Sequence, residues 1–297
     1  SNPVLLVDEF SRREELTPLR EKLLEARSSR PSPSRDEKRL AAWNALTVRG
    51  LSEAAFAFNR KDWLELARDT ADWLWENLRE EDGFLHAVLY PDKDADGPAF
   101  LDDYAFLAEA LLTLASVVDW LEPGLSTRYE TRATELVESA LKQFRDPNMP
   151  GFFFTASDQA APAQAKQKLW YDNAVPAGNS ALLRVFASLH VLTGEDRWLD
   201  EFSEARAAYP KLARKAPQGI GHALAALAEE AIGIAVVKVN GVPIEPLADA
   251  LRKKPSRLVH LRSIEDPEQP RGYLLCVGQE CMAPTEQVDE VVGHLHE

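Results

Sequence analysis

The strongest constraint on the fold is a unit that recurs along the chain. Gly83-Phe84 is followed by Asp103-Tyr104-Ala105, and Gly151-Phe152 is followed at a similar distance by Asp172-Asn173-Ala174. Trp43-Asn44-Ala45 resembles the later part of this unit. Positions 44, 103 and 172 are therefore spaced by about 60 to 70 residues, a length that fits one helical hairpin and one long loop.

The segments between these motifs have the periodicity of helices. Apolar residues recur at spacings of three and four in stretches rich in Ala, Leu, Glu and Arg, which predicts amphipathic helices. The predicted helices are Trp43–Phe58, Trp63–Leu78, Asp103–Trp120, Arg128–Phe144, Ser180–Leu192, Trp198–Tyr209 and about Ile220–Ile232. Short breakers separate several of them, so we expect antiparallel hairpins. Stacked hairpins can curve into an α/α toroid with one inner and one outer helix per hairpin.

The pattern changes after about residue 234. Three short β-like runs and a final helix follow, at Ala235–Val239, Leu258–Leu261, Tyr273–Val277 and Pro284–Leu295. We therefore predict a mainly α protein with three parts. Residues 1–36 form a lead-in segment, residues 37–233 form the toroid hairpins, and residues 234–297 form a small α/β appendage.

Composition excludes several classes of function. The net charge of −14 argues against a nucleic-acid surface and against anionic membranes, because both need clustered Lys and Arg. No apolar run approaches the roughly 20 residues that span a bilayer. The start of the chain lacks a basic region followed by an apolar stretch, and there are only two cysteines. We expect a cytoplasmic protein without a disulfide framework.

Polar residues at the predicted helix starts are the candidates for a functional site. Asn44, Asp103 and Asp172 occupy equivalent positions of the repeat, and His222 also lies at a helix start before an alanine. Asp and Asn are good helix caps, which explains any one of them without a function. Capping explains less well why Gly-Phe precedes two of them at a similar distance. We therefore expect these side chains to share the rim of a central cavity.

Four groups of residues resemble one known protein family. They are Arg30-Pro31 with Asp36-Glu37-Lys38 and Trp43-Asn44, then Leu101-Asp102-Asp103-Tyr104-Ala105, then Asp172-Asn173-Ala174-Val175-Pro176-Ala177-Gly178-Asn179-Ser180, and finally Cys276 with Cys281-Met282-Ala283-Pro284. Their order and sequence are similar to those of the YyaL-related family, which includes the mammalian spermatogenesis-associated thioredoxin-domain proteins. Ala45 and Ala177 depart from the family pattern, which has Gly and Ser there.

The resemblance implies a longer protein with an N-terminal thioredoxin-like domain and a six-hairpin, glycosidase-like toroid. Only about seven toroid helices are visible in this sequence, so we expect the C-terminal part of such a protein and a partial toroid. The resemblance also implies partners: a thioredoxin-like domain or the missing N-terminal half. A partial toroid leaves an apolar face uncovered, and self-association would cover it.

The chemistry of toroid proteins suggests roles for the candidates. Glycoside cleavage needs an acid and a base, for which Asp103 and Asp172 are the best pair. Sugar epimerisation needs a base on each face of a carbon, for which His222 and His86 are available. Residues beside these positions are candidates to bind a sugar, by hydrogen bonds or by ring stacking, although each aromatic ring among them can equally belong to the core. They are Trp43, Asn44, Asp102, Tyr104, Trp170, Tyr171 and Asn179.

Two functions of different classes follow. One is an enzyme of glycoside hydrolase or sugar epimerase type that acts on or binds a carbohydrate. The other is a non-catalytic scaffold that docks a thioredoxin-like redox domain. No nucleotide-binding or serine-hydrolase motif is present, and no cofactor is predicted. For Cys276 and Cys281, a zinc site would need two more ligands, of which only His260 is near in the sequence. A reversible disulfide is one alternative, and we expect two unpaired thiols.

Overall fold

The computed structural model describes residues 13–156, 166–254, 257–278 and 280–296. The chain divides after residue 37 into two compact units. In the described part of the first unit, helix α1 (Arg13–Ser28) carries three exposed leucines at positions 19, 23 and 24. The second unit holds the other helices and strands.

Helices dominate the second unit. They are α2 (Ala41–Ala57), α3 (Lys61–Leu78), α4 (Leu101–Val118), α5 (Ser126–Phe144), α6 (Gly178–Thr193), α7 (Asp196–Arg206), α8 (Tyr209–Lys215), α9 (Gly221–Ile232), α10 (Glu245–Lys253) and α11 (Val288–His294). The predicted helix Trp198–Tyr209 is wrong in one respect, because α7 ends before Tyr209. Pro210 lies in the first turn of α8, where its missing N–H is tolerated. Within the described ranges, we find no helix with the length and apolar character needed to cross a membrane.

The helices form hairpins arranged in an arc. Helix α2 packs against α3, α4 against α5, and α6 against α7. The inner helices α2, α4, α6 and α9 contact one another in that order. The outer helices α3 and α5 bury residues at spacings of three and four, as expected for one apolar face. The predicted mainly α, partial α/α toroid is therefore confirmed.

Helix α4 is the centre of the core. All of its residues except Asp102 are buried, because α2, α5 and α6 surround it. Its sequence is apolar on every side, which is typical of a helix enclosed by neighbours. A charged side chain inside such a helix, such as Glu109, therefore needs a specific partner.

The two Gly-Phe motifs have a common structural cause. Gly83 and Gly151 have φ values of 89° and 88°, a region that glycine occupies without strain. Each glycine follows an outer helix and turns the chain back. A residue just after the glycine then forms a single β-bridge with the residue that ends the helix. Arg79 forms an isolated bridge with Leu85, and Arg145 forms one with Phe152. The repeat seen in the sequence is thus a repeated turn after α3 and after α5.

Two sheets complete the unit. The first is antiparallel, with order β1 (Arg39–Leu40), β2 (His86–Leu89) and β3 (Asp96–Pro98). The second lies in the C-terminal region and contains β4 (Ala235–Asn240), β5 (Val259–Ile264), β6 (Gly272–Val277) and β7 (Glu280–Cys281), in the order β5-β4-β6-β7. Strands β4 and β5 are parallel and are connected through α10, whereas β6 is antiparallel to β4.

Strand β5 attaches the second sheet to the hairpins. Asp119, at the end of α4, is fully buried and accepts hydrogen bonds from the Ser126 N–H at 2.7 Å and the Ser263 N–H at 2.6 Å. Glu130 of α5 forms an ion pair with Arg262 at 2.7 Å. These contacts hold the sheet beside the C-terminal end of α4, where it closes one side of the arc.

Candidate functional site

Asp103 joins the first two inner helices. Its Oδ1 atom accepts a hydrogen bond from the Ala42 N–H at 3.0 Å, and its Oδ2 atom accepts one from the Phe100 N–H at 2.8 Å. The second bond belongs to the N-terminal cap of α4, and the first satisfies a free N–H at the start of α2. The side chain is 5 % exposed, so both oxygens are occupied in a nearly dry environment.

Asp102 joins the second and third inner helices. Its Oδ1 atom accepts a hydrogen bond from the Gly178 N–H, the first residue of α6, at 2.9 Å. A Cβ atom at position 178 would lie 2.5 Å from that same oxygen. The small residue in the Pro-Ala-Gly-Asn-Ser stretch is therefore required for the close approach of α4 and α6.

Asp172 joins the third and fourth inner helices. Its Oδ1 atom accepts a hydrogen bond from the Ala177 N–H at 3.0 Å, and its Oδ2 atom accepts one from the His222 N–H at 2.8 Å. Our expectation that Asp172 opens an inner helix is wrong, because α6 begins only at Gly178. Pro176 and the turn around Asn173 place the carboxylate before the helix, where it reaches across to α9.

These three aspartates link the starts of α2, α4, α6 and α9 in sequence. These hydrogen bonds show that the four helix starts are neighbours. Negative charge is favourable there because the free N–H groups of a helix start carry partial positive charge. Burial nevertheless raises the pKa of Asp102 and of Asp103 to about 6, although the backbone N–H groups stabilise the ionised forms.

Tyr104 and Asn179 hold the two Gly-Phe turns. The Tyr104 hydroxyl is buried and accepts hydrogen bonds from the Leu85 N–H at 2.8 Å and from Gln143 at 3.1 Å. The Asn179 side chain accepts from the Phe152 N–H at 2.8 Å and donates to the Phe152 and Leu169 carbonyls. Both side chains are therefore engaged inside the fold.

The remaining predicted binding residues are dispersed. Trp43 is 64 % exposed and Tyr171 is 44 % exposed. Asn44 donates its side-chain amide to the Leu40 carbonyl one turn earlier. Trp170 packs edge-on against Tyr209, with ring centroids 5.5 Å apart. Only the two exposed rings of this group present a free face to a ligand.

A second group of polar residues connects the four inner helices. We call it the charged cluster, and it consists of Arg49, Glu53, Glu109, Arg184, His222 and Glu229. Glu109 is at its centre with a side chain only 2 % exposed, and its Oε1 atom is 2.9 Å from His222 Nε2. The guanidinium groups of Arg49 and Arg184 lie 3.4 and 3.5 Å from the same oxygen.

The cluster determines the charge of Glu109. Burial opposes its ionisation, but the hydrogen bond with His222 and the charges of His222, Arg49 and Arg184 together hold the pKa of Glu109 below its usual value. Its second oxygen, Oε2, is buried without a hydrogen-bond partner among the described residues. A buried ionised oxygen without a donor is costly, so this atom marks a place where a ligand could donate a hydrogen bond.

A cavity of about 460 Å³ adjoins the cluster. Glu53, Arg184 and Glu229 contribute to its wall from three different inner helices, and β5 and α10 close it on the other side. A much smaller void lined by Glu109 and His260 shares Arg184 with it. His260 is fully buried with both ring nitrogens unpartnered among the described residues. Burial, together with the charges of Arg184 and Arg262, lowers its pKa to about 3, so the ring is neutral.

The two cysteines form a disulfide, so the expectation of unpaired thiols is wrong. Cys276 of β6 and Cys281 of β7 are directly opposite each other in an antiparallel pair, a register that the sequence spacing alone does not reveal. In the part of the chain that the structure describes, no group of three or more His, Cys, Asp or Glu side chains is arranged to hold a metal ion.

Sequence reasoning selected His222 but missed the residues around it. Glu109 stands inside the apolar run of α4, and Arg184 stands inside that of α6. A charged residue in such a run rarely remains unpaired, and this signal was present in the sequence. It was less visible than the repeated motif because the cluster takes its members from four helices, at positions with no common spacing.

Comparison with known proteins supports the family resemblance. No protein-family model matches the chain. Spermatogenesis-associated protein 20 from mouse is 27 % identical over 75 % of this chain, and the human protein is 28 % identical over 71 %. The chain is a homologue of these proteins. It spans 28 % of the length of the mouse protein and 27 % of the human one. A protein of Caenorhabditis elegans is 24 % identical over 92 % of this chain and 40 % of its own length.

Among solved structures, similar chains are a GH76 α-mannanase from Bacteroides thetaiotaomicron and a cellobiose 2-epimerase from Spirochaeta thermophila. The first has a TM-score of 0.46 at 14 % identity and covers 60 % of this chain and 45 % of its own. The second has a TM-score of 0.45 at 14 % identity, and the match covers 60 % of this chain and 44 % of the epimerase chain. A family 105 glycoside hydrolase from Clostridium acetobutylicum has a TM-score of 0.47 at 12 % identity, and the match covers 70 % of this chain and 60 % of the hydrolase chain.

Proposed function

We propose that this chain binds a small hydroxyl-rich molecule, a carbohydrate being the first candidate, at the charged cluster. The observation that carries the proposal is Glu109, a buried ionised carboxylate with one unpartnered oxygen. It lines the small void that shares Arg184 with the cavity of ligand size. Small-molecule sites typically enclose about 300 to 1,000 Å³ and contain a few convergent polar groups. The neighbouring 460 Å³ cavity falls in this range.

Hydroxyl groups match the polar atoms that are available. Three carboxylates, those of Glu53, Glu109 and Glu229, surround the Arg184 guanidinium within 2.8 to 3.5 Å. The cluster thus has more hydrogen-bond acceptors than free donors. A hydroxyl donates to a carboxylate and accepts from a guanidinium, so a polyol can satisfy both at once.

The hydrogen bonds of Asp103 and Asp172 argue against a role of this pair in glycoside cleavage. Glycoside hydrolysis needs one carboxylic acid that donates a proton and one carboxylate that reaches the sugar or a water molecule. All four carboxylate oxygens of Asp103 and Asp172 accept backbone N–H groups. We therefore assign these two residues to the fold. If a bound ligand is turned over, His222 in its neutral form is the candidate general base, because a ring that donates Nε2–H to Glu109 keeps Nδ1 as a proton acceptor.

The proposal predicts that Glu109→Gln weakens sugar binding by at least about tenfold, because a charge-assisted hydrogen bond contributes roughly 1.5–3 kcal/mol. Isothermal titration calorimetry with a panel of monosaccharides and disaccharides measures the effect. Glu130→Gln is the matched control, since Glu130 is also buried and paired with an arginine but lies away from the cluster. Thermal unfolding of both variants separates lost binding from lost stability. Equal affinities of the two variants, or no binding to the unmutated chain, would contradict the proposal.

A second candidate function is docking of a thioredoxin-like domain, which the family resemblance suggests. The observation that favours it is the Cys276–Cys281 disulfide, whose Cys281 end is exposed on β7. A thioredoxin dithiol attacks an accessible disulfide through a mixed-disulfide intermediate.

This candidate predicts that a thioredoxin lacking its resolving cysteine forms a covalent adduct with the unmutated chain. The adduct should be visible by non-reducing electrophoresis and absent with Cys276→Ser/Cys281→Ser. Reduction by glutathione at the same rate as by intact thioredoxin would argue against specific docking.

A further inference from the structure

The cavity beside the charged cluster is divided into a polar and an apolar end. Glu53, Arg184 and Glu229 form the polar end. The rest of the lining is mainly apolar side chains from the inner helices and the appendage: Phe56, Val117, Ile232, Leu251, Leu258 and Leu261. Thr113 and Ser116 of α4 also line the cavity, but their hydroxyls donate to backbone carbonyls of the same helix. Such a division is not expected for a ligand that is hydroxyl-bearing on every side, because apolar walls would then face its hydroxyl groups.

The apolar end is formed by residues that are far apart in the chain. Val117 lies near the end of α4, Leu251 lies on α10 and Leu261 lies on β5, and these three are 7 %, 6 % and 1 % exposed. Ile232, the last residue of α9, is 53 % exposed, so the cavity reaches the surface beside the end of that helix. The C-terminal appendage is therefore required to form this end of the site.

The arginine at the apolar end has a structural role. Arg257 donates from Nη1 to the Ile232 carbonyl at 2.9 Å and from Nε to the Leu295 carbonyl at 3.0 Å. These two bonds anchor the ends of α9 and α11. The remaining surface of this end favours carbon atoms, since burying apolar area there releases water from both partners.

We infer that the ligand is amphipathic: a glycoside whose sugar contacts the charged cluster and whose alkyl or aryl group fills the apolar end of the cavity. The identity of the polar part rests on the proposed function above. The apolar part rests on the cavity walls alone. The two parts can therefore be tested separately with one series of compounds.

The experiment compares methyl, butyl and hexyl glycosides of each sugar in the panel, together with hexan-1-ol, by calorimetry on the full chain. Each added methylene should raise the affinity by about fourfold, so butyl should exceed methyl by roughly sixtyfold. Val117→Thr, which has nearly the same shape, places a hydroxyl in the apolar wall and should reduce that gain. Val118→Thr is the control, because Val118 is buried on the same helix but does not line the cavity.

Each outcome decides one part of the inference. A gain with chain length that Val117→Thr reduces and Val118→Thr leaves unchanged supports it. Equal affinities of methyl and butyl glycosides overturn it while the proposed function stands. Binding of hexan-1-ol without any glycoside overturns the proposed sugar contact but leaves an apolar site. Failure of the alcohol and all the glycosides overturns both.

Discussion

Replacing Asp103 with alanine is expected to lower the free energy of unfolding by about 3 kcal/mol. The substitution leaves the N–H groups of Ala42 and Phe100 without an acceptor, and burial keeps water from replacing it. An unsatisfied buried donor costs about 1–3 kcal/mol, and loss of a helix cap alone typically costs about 1 kcal/mol. The effect is large because one side chain serves two helices.

Urea unfolding followed by circular dichroism measures this effect. Asp62→Ala is the comparison, because Asp62 also lies in the first turn of a helix but is exposed, forms an ion pair with Arg60 and joins no second helix start. That variant should change the unfolding midpoint far less. Asp103→Asn should be intermediate, since the amide keeps one acceptor oxygen but directs its NH₂ group at an N–H donor. A stable Asp103→Ala variant that loses sugar binding would make Asp103 a binding residue and contradict our assignment.

The sequence predicted the arc of hairpins well because the physical cause is local. Helices α2 to α6 need an apolar face or an apolar core, and this appears directly as periodicity along the chain. The Gly-Phe motif was equally informative, because a turn with positive φ after an outer helix restricts the residue to glycine. Because the same turn is required after two outer helices, the same Gly-Phe pattern appears twice in the sequence.

The site was harder to predict, because capping and catalysis favour the same residue types. Asp103 and Asp172 were selected for their places in the repeat, yet their carboxylates accept backbone N–H groups from neighbouring helices. That role depends on which helix starts lie side by side, which no spacing reveals. Glu109 and Arg184 have partners on three other inner helices, so their importance appears only after the arc has formed.

Replacing Gly151 with alanine is expected to destabilise the protein by about 2–5 kcal/mol. The residue has φ of 88°, where an L-residue with a Cβ is strained by roughly 1–2 kcal/mol. The new Cβ atom would also lie 2.2 Å from Cη2 of Trp170 and 3.0 Å from Oδ1 of Asn179. Neither neighbour moves freely, because the indole packs against Tyr209 and the amide holds the Phe152 turn. Overpacking of a filled site adds about 1–3 kcal/mol to the backbone strain.

Gly124→Ala separates these two contributions. Gly124 has nearly the same φ, 87°, but a Cβ atom there would meet nothing within 4 Å. Its substitution should therefore show the backbone strain alone, roughly 1–2 kcal/mol. The difference between the two variants in urea unfolding then measures the contact with Trp170 and Asn179. Trp170→Leu in the Gly151→Ala background should recover part of the loss, since it removes the indole ring that the methyl group meets. If the two glycine variants are destabilised equally, the second Gly-Phe turn requires glycine for its backbone conformation only. The close packing of Trp170 and Asn179 around Gly151 would then not contribute to that requirement.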